Sequence, residues 1–216
     1  MRRFALGLSL CLTLISGWIA LTVGAVEPFS RNIVYIHVPA AISSLVCFAV
    51  LFVCSIQYLR WVPKRQKNCE MGPAQKWDYI AAASAEVGLV FATALNITGM
   101  IFAYAEWGLW WTPSPRLISS AVLWFLYAAY CLLRASFTTE RPRRKTCAVF
   151  GIIAFIDIPL VLFSARYIRD IHQPTVSFEV RWQYIAVGLA VCAALLLASL
   201  LIWIRVDILK TNDRIQ

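Results

Sequence analysis

The sequence predicts an all-α fold: an integral membrane bundle of six transmembrane helices, one domain over 1–216, with both termini cytoplasmic. Three observations predict it. Of the 216 residues 61% are hydrophobic and only 14% charged, whereas soluble domains average about 45–50% apolar and about 25% charged. Apolar runs of about 20 residues, the length that crosses a bilayer core as a helix, recur near 5–26, 38–59, 79–103, 117–134, 147–167 and 184–204. Lysine and arginine fall mainly in alternate connections, as the positive-inside rule expects.

The first run follows Met1-Arg2-Arg3, and Val23-Gly24-Ala25 resembles a weak cleavage site. Its apolar core exceeds the roughly 7–15 residues of a signal h-region, which favours a retained helix. One set of connections holds Arg2, Arg3, Arg60, Lys64, Arg65, Lys67, Lys76, Arg134, Arg141, Arg143, Arg144, Lys145, Arg205, Lys210 and Arg214. The alternate set holds only Arg31, Arg116, Arg166, Arg169 and Arg181. The outer face therefore comprises 27–37, 104–116 and 168–183. The net charge of +9 belongs to the cytoplasmic loops, so it signals no nucleic acid. Seven cysteines include no CxxC pair and no CxxCH, which excludes thioredoxin-type redox chemistry and covalent haem attachment.

The outer face collects the chemistry. Trp107-Gly108-Leu109-Trp110-Trp111 is followed by Pro113, Pro115 and Arg116, so a loop is expected there. His37 and His172, the two histidines of the chain, fall on the same face, each with a proline two residues on to restrict the neighbouring backbone. Two readings fit. Interfacial tryptophans form ligand-free belts, interfacial histidines are solvated, and Arg116 snorkels. Alternatively, imidazole ligates haem iron, the indoles offer a flat apolar shelf, and Arg116, Arg166 and Arg169 offer cations for the propionates. Glu86, Asp157 and Asn96 lie within spans, where an acid is costly and a functional candidate. Hydrogen bonds to a neighbouring helix, at Ser84, Thr93 or a carbonyl freed by Pro159, are the structural alternative.

Four motifs in one order resemble the CcmC family of haem-handling membrane proteins of cytochrome c maturation. Tyr35-Ile36-His37-Val38-Pro39-Ala40-Ala41 is similar to the opening of its second helix. Ala85-Glu86-Val87-Gly88-Leu89-Val90-Phe91 with Ile97-Thr98-Gly99 resembles its third. Trp107-Gly108-Leu109-Trp110-Trp111, Arg116-Leu117 and Phe125-Leu126-Tyr127 resemble its tryptophan-rich WWD segment and the helix after it. Ile158-Pro159, Phe163-Ser164 and Ile171-His172-Gln173 resemble the fifth helix and its exit. The resemblance spans about 33–174, and six spans favour CcmC over its larger relatives CcmF and CcsA.

This resemblance implies that His37 and His172 are the axial (metal) ligands of a transient, non-covalent haem b. It implies that Trp107, Gly108, Trp110, Trp111 and Arg116 form the cofactor platform, facing the periplasm from a bacterial plasma membrane. It implies a non-catalytic transfer role, with partners in a CcmE-like haem chaperone, ABC-type CcmA/CcmB-like subunits and a small single-span CcmD-like subunit. The family's segment runs Trp-Gly-x-Trp-Trp-x-Trp-Asp-x-Arg, and here Pro113 and Ser114 stand for the last Trp and the Asp. Two alternatives follow. One is a degenerate scaffold that docks partners without carrying haem; the other is a b-type haem redox protein, which two histidines limit to one bis-histidine haem.

Overall fold

In the computed structural model, which describes residues 2–22, 32–62, 73–168 and 180–215, the chain is helical. Seven helices follow in order: α1 (Arg2–Thr22), α2 (Val34–Trp61), α3 (Pro73–Trp107), α4 (Pro115–Ser136), α5 (Glu140–Ala154), α6 (Asp157–Tyr167) and α7 (Arg181–Ile215). Five helical stretches are long and apolar enough to cross a membrane, with α5 and α6 counted as one over Glu140–Ser164. The apolar part of α1, Leu6–Thr22, is shorter than these five.

Several element bounds differ from the sequence expectation, α7 running on to Ile215 where the sequence predicts the span to end at 204. α3 starts six residues before the expected span and ends four after it, because residues 73–78 and 104–107 extend the helix past its apolar core. α2 begins at Val34, so His37 sits inside its first turn rather than before it. Pro39 is accommodated because its fixed φ suits a helix, and only one early backbone bond is lost. The expected fifth span breaks at Phe155–Ile156. Pro159 has no N–H to offer the Phe155 carbonyl four residues back. That carbonyl accepts from the Ile158 N–H instead, at 3.1 Å, and Ile156 N–H donates to Ile153 O, also at 3.1 Å. Both linking residues stay in the right-handed helical region, so the break is a tightened turn within one rod.

Side-chain links set the directions of the helices. Ser9 and Ser16, two turns apart on α1, donate to Ala193 O (3.0 Å) and Ala186 O (2.8 Å) on α7, so α1 and α7 are antiparallel. α2 and α3 are antiparallel as well: His37 meets Thr98 near one end, and Tyr58 clusters with Ala74 near the other. Small residues allow the approach, and a Cβ at Gly88 would overlap the Phe48 ring. That ring stacks on Tyr127 of α4, with centroids 3.4 Å apart. Phe48, Leu51, Ala85, Leu123, Tyr127, Tyr130 and Cys147 join α2, α3, α4 and α5 in one core.

One consequence matters for function. The end of α1, the start of α2, the end of α3, the start of α4, the end of α6 and the start of α7 gather at one end of the bundle. Ala20, Tyr35 and Ala186 pack together there, and Ser119 bonds Ser164 across α4 and α6 at 3.0 Å.

Candidate functional site

His37 projects from the first turn of α2 toward α3 and is half-buried. Its Nδ1 lies 2.9 Å from Thr98 Oγ1. Thr98 donates its hydroxyl proton back along its own helix, to Ala94 O at 2.7 Å and Leu95 O at 3.0 Å. The same oxygen is hydrogen-bonded to the His37 ring, which ties the first turn of α2 to α3. Beside it, a Cβ on Gly99 would stand 3.2 Å from His37 Cε1, so the glycine lets the ring approach α3 closely.

Some 13 Å further along α3, at about 1.5 Å per residue, the helix stops at Trp107. Gly108 ends it with φ +70, a left-handed conformation in which glycine is the favoured C-terminal residue. Its N–H donates to Tyr104 O at 2.9 Å. Trp107 therefore belongs to the helix and not to the expected loop; it meets Phe102 edge-on. The chain then folds back, and Trp110 stacks on Tyr104 with centroids 4.5 Å apart and planes 14° from parallel. Leu109, Trp110 and Trp111 are 57%, 54% and 42% exposed. Non-helical chain continues to Ser114, as the prolines predict. α4 opens with Pro115 at its first position, and Ser114 caps it, accepting from Leu117 N–H at 3.4 Å. Arg116 follows in the first turn of α4, half-buried.

The structure thus brings His37, Trp107, Gly108, Trp110, Trp111 and Arg116 to one end of the bundle, with α3 as the common rail. His172 and Arg169 lie outside the described residues. The flanking residues Ile168 and Val180 belong to the ends of α6 and α7 on this same side. Arg166 is exposed on α6. Among the described residues no cluster of three or more His, Cys, Asp or Glu is placed to hold a metal ion.

The polar residues within the spans divide. Glu86 is not bonded to Ser84 or Thr93: its carboxylate takes a two-pronged ion pair from Arg205 of α7, Nη2 to Oε1 being 3.0 Å. Arg205, counted with the cytoplasmic connections above, is a helix residue. Asn96 donates to Ala92 O and accepts from Ser120, and Thr93 accepts from Trp124 Nε1 at 2.8 Å. Asp157 is buried with Oδ2 unpartnered among the described residues, as is the Tyr127 hydroxyl. Sequence reasoning missed Thr98, Gly99 and Tyr104 as supports. Thr98 and Gly99 stand inside a quoted motif, but their role depends on α2 crossing at that level.

These features define a polytopic helical protein with a seated histidine and exposed indoles at one end, an arrangement suited to a flat apolar ligand. The chain belongs to the CcmC family: the family model described as "Heme exporter protein C" matches residues 3–215. It is similar to "Heme exporter protein C" of Escherichia coli (strain K12), 29% identical over 150 residues, covering 69% of this chain and 57% of that protein. The protein of the same name from Haemophilus influenzae is 26% identical over 193 residues, covering 86% and 74%. A "Putative cytochrome c biosynthesis ccmC-like mitochondrial protein" of Marchantia polymorpha is 26% identical over 144 residues, covering 67% and 56%. The match spans a little over half the length of the Escherichia coli relative.

Proposed function

We propose that this chain binds haem b reversibly at the indole-bearing end of the bundle and hands it to a haem chaperone during cytochrome c maturation, without catalysing bond chemistry. Family membership supports the role, and the observation that carries the site is the seating of His37 on α3, the helix whose end also carries the exposed indoles. The residues present fit the group: a half-buried imidazole hydrogen-bonded to α3 at Thr98, and indoles at Trp110 and Trp111 that are about half exposed. When bound, haem would supply an iron that takes imidazole ligands and a flat apolar macrocycle. His37 and His172 would hold the iron. Trp107, Trp110 and Trp111 would cover the macrocycle and exclude water, and Arg116 would neutralise a propionate.

The excess of Lys and Arg at the opposite end orients that end, and both termini, to the cytoplasm. The haem site then faces the periplasm of a bacterial plasma membrane, where a CcmE-like chaperone collects the haem. CcmA/CcmB-like ABC subunits and a CcmD-like single-span subunit complete the assembly. Weak, accessible ligation suits the task, since the haem has to leave.

The test is absorption spectroscopy of the purified protein titrated with haemin. A six-coordinate low-spin spectrum is expected, lost in a His37→Ala, His172→Ala double variant that keeps its helical circular dichroism. The same spectrum in wild type and double variant would overturn the reading.

A further inference from the structure

We propose that the exposed face of α5 binds one anionic phospholipid, with Arg141 and Lys145 on its phosphate and Val149 and Ile153 along an acyl chain. The site lies at the end of the bundle opposite the indoles and stands whether or not those bind haem.

Four cations crowd the start of α5, and helical geometry sorts them. Arg143 and Arg144 pair with Glu140, and Arg144 reaches Asp78 and Asp213 as well, so both are engaged within the bundle. Arg141 and Lys145 are exposed, and among the described residues neither forms an ion pair. Residues four apart share one helix face, so Arg141, Lys145, Val149 and Ile153 make a single row along α5. Pro142, Thr146 and Phe150 make the row beside it. From Pro142 and Lys145 down to Ile153, these rows line an open groove of about 500 Å³.

The groove changes character along its length. Its first turn is cationic, with Arg141 and Lys145 spaced about 5–6 Å apart at their Cβ atoms, as i,i+4 pairs are. After Lys145 no charged residue occurs until Asp157, and Val149 and Ile153 are 43% and 59% exposed. Between Lys145 and Ile153 the helix rises about 12 Å at about 1.5 Å per residue. This rise lies within Glu140–Ser164, a stretch apolar enough to cross a membrane. The occupant must therefore join an anion to an apolar tail that enters the hydrocarbon region. An acidic soluble peptide supplies the charge without the tail. A zwitterionic lipid supplies the tail but carries its own cation beside the phosphate. An anionic phospholipid supplies both, and basic groups at a membrane surface attract such headgroups.

The test uses the full-length protein, purified in neutral detergent, stripped of lipid, titrated with phosphatidylglycerol and followed by native mass spectrometry. One tightly held phosphatidylglycerol is expected, with phosphatidylcholine bound more weakly and the preference shrinking as salt rises. Arg141→Gln with Lys145→Gln is expected to lower phosphatidylglycerol affinity by about 30-fold, the combined effect of two cations at a charged membrane surface. Both side chains are exposed, so helical circular dichroism is expected to match wild type. Arg60→Gln with Lys76→Gln removes the same charge from exposed positions at the same end of the bundle and is expected to leave the affinity near wild type. Glycerol 1-phosphate, an anion without chains, is expected not to displace the lipid at equal concentration. Equal affinity for the two lipids would overturn the site, leaving a face that takes any lipid or a neighbouring helix. An equal loss in the Arg60, Lys76 pair would overturn it in favour of diffuse surface charge, and displacement by glycerol 1-phosphate in favour of a phosphate site without a lipid.

Discussion

Where α3 begins, charged groups tie helices together; where it ends, the links among the described residues include neutral ones. At the first end Arg134 of α4 grips Asp78 of α3 through two bonds of 2.8 and 2.7 Å. Arg144 of α5 reaches the same carboxylate at 3.3 Å and Asp213 of α7 at 2.6 Å, and Tyr79 also donates to Asp213 at 2.6 Å. Four helices are tied at one level, and Asp78 is only 3% exposed. At the other end the links among the described residues include single hydrogen bonds between side chains: His37 to Thr98, Ser119 to Ser164, Ser120 to Asn96. A neutral hydrogen bond contributes about 0.5–1.5 kcal/mol net, whereas removing one partner of a buried ion pair costs about 3–5 kcal/mol. The charged cluster around Asp78 therefore clamps the bundle at the end away from the proposed ligand.

The largest expected effect tests the clamp. Asp78→Ala leaves Arg134 buried without its carboxylate, and the expected loss is about 3–5 kcal/mol, read as a lower thermal midpoint of helical circular dichroism in detergent. Haemin affinity, measured below that midpoint, is expected to stay near wild type. A large fall in affinity in the still-folded variant would show that the two ends are coupled rather than separate.

Next in size is Trp110→Ala at the ligand end. It removes the ring that stacks on Tyr104, an interaction worth about 0.5–1.5 kcal/mol beyond area burial. Because Trp110 is more than half exposed, thermal stability is expected to move little. Haemin affinity is expected to fall several-fold, as read by titration. The opposite pattern, a large stability loss with unchanged affinity, would make the indole a packing residue and return the loop to an interfacial belt.

The sequence was legible at the level of apolar helices, and less so at the level of partners. Apolar runs located every helix, and the prolines at 113 and 115 marked the loop before α4. Pro159 was visible as a helix breaker, yet the place of the break follows from which carbonyl loses its donor, and that requires the helix on both sides. Trp107 read as loop because Pro113 and Pro115 follow it; the actual helix stop is the left-handed Gly108. Asp78 and Arg134 are 56 positions apart and each looked like an ordinary helix-end charge. Only the antiparallel packing of α3 and α4 makes them a pair. The same holds for Glu86 with Arg205, and for His37 with Thr98.

The smallest predicted effect concerns the departure from the family's tryptophan segment, and it separates a structural role from a ligand role. Ser114 stands where that family's pattern has aspartate, and it caps α4 at the end of the loop. Serine and aspartate are both strong helix N-caps because a short side-chain oxygen reaches the N–H groups of the first turn. The cap bond is long, 3.4 Å, so Ser114→Ala is expected at the low end of the capping range, about 0.5–1 kcal/mol. Ser114→Asp keeps the acceptor and adds a negative charge at a helix N-terminus, where the helix dipole favours it, so stability is expected to hold or rise by a few tenths of a kcal/mol. If position 114 acts only as a cap, haemin affinity stays level across Ser, Ala and Asp while thermal midpoints follow the cap. Should affinity instead rise with Asp alone, the carboxylate contributes to ligand binding, and its replacement by serine is a loss of function that capping has concealed.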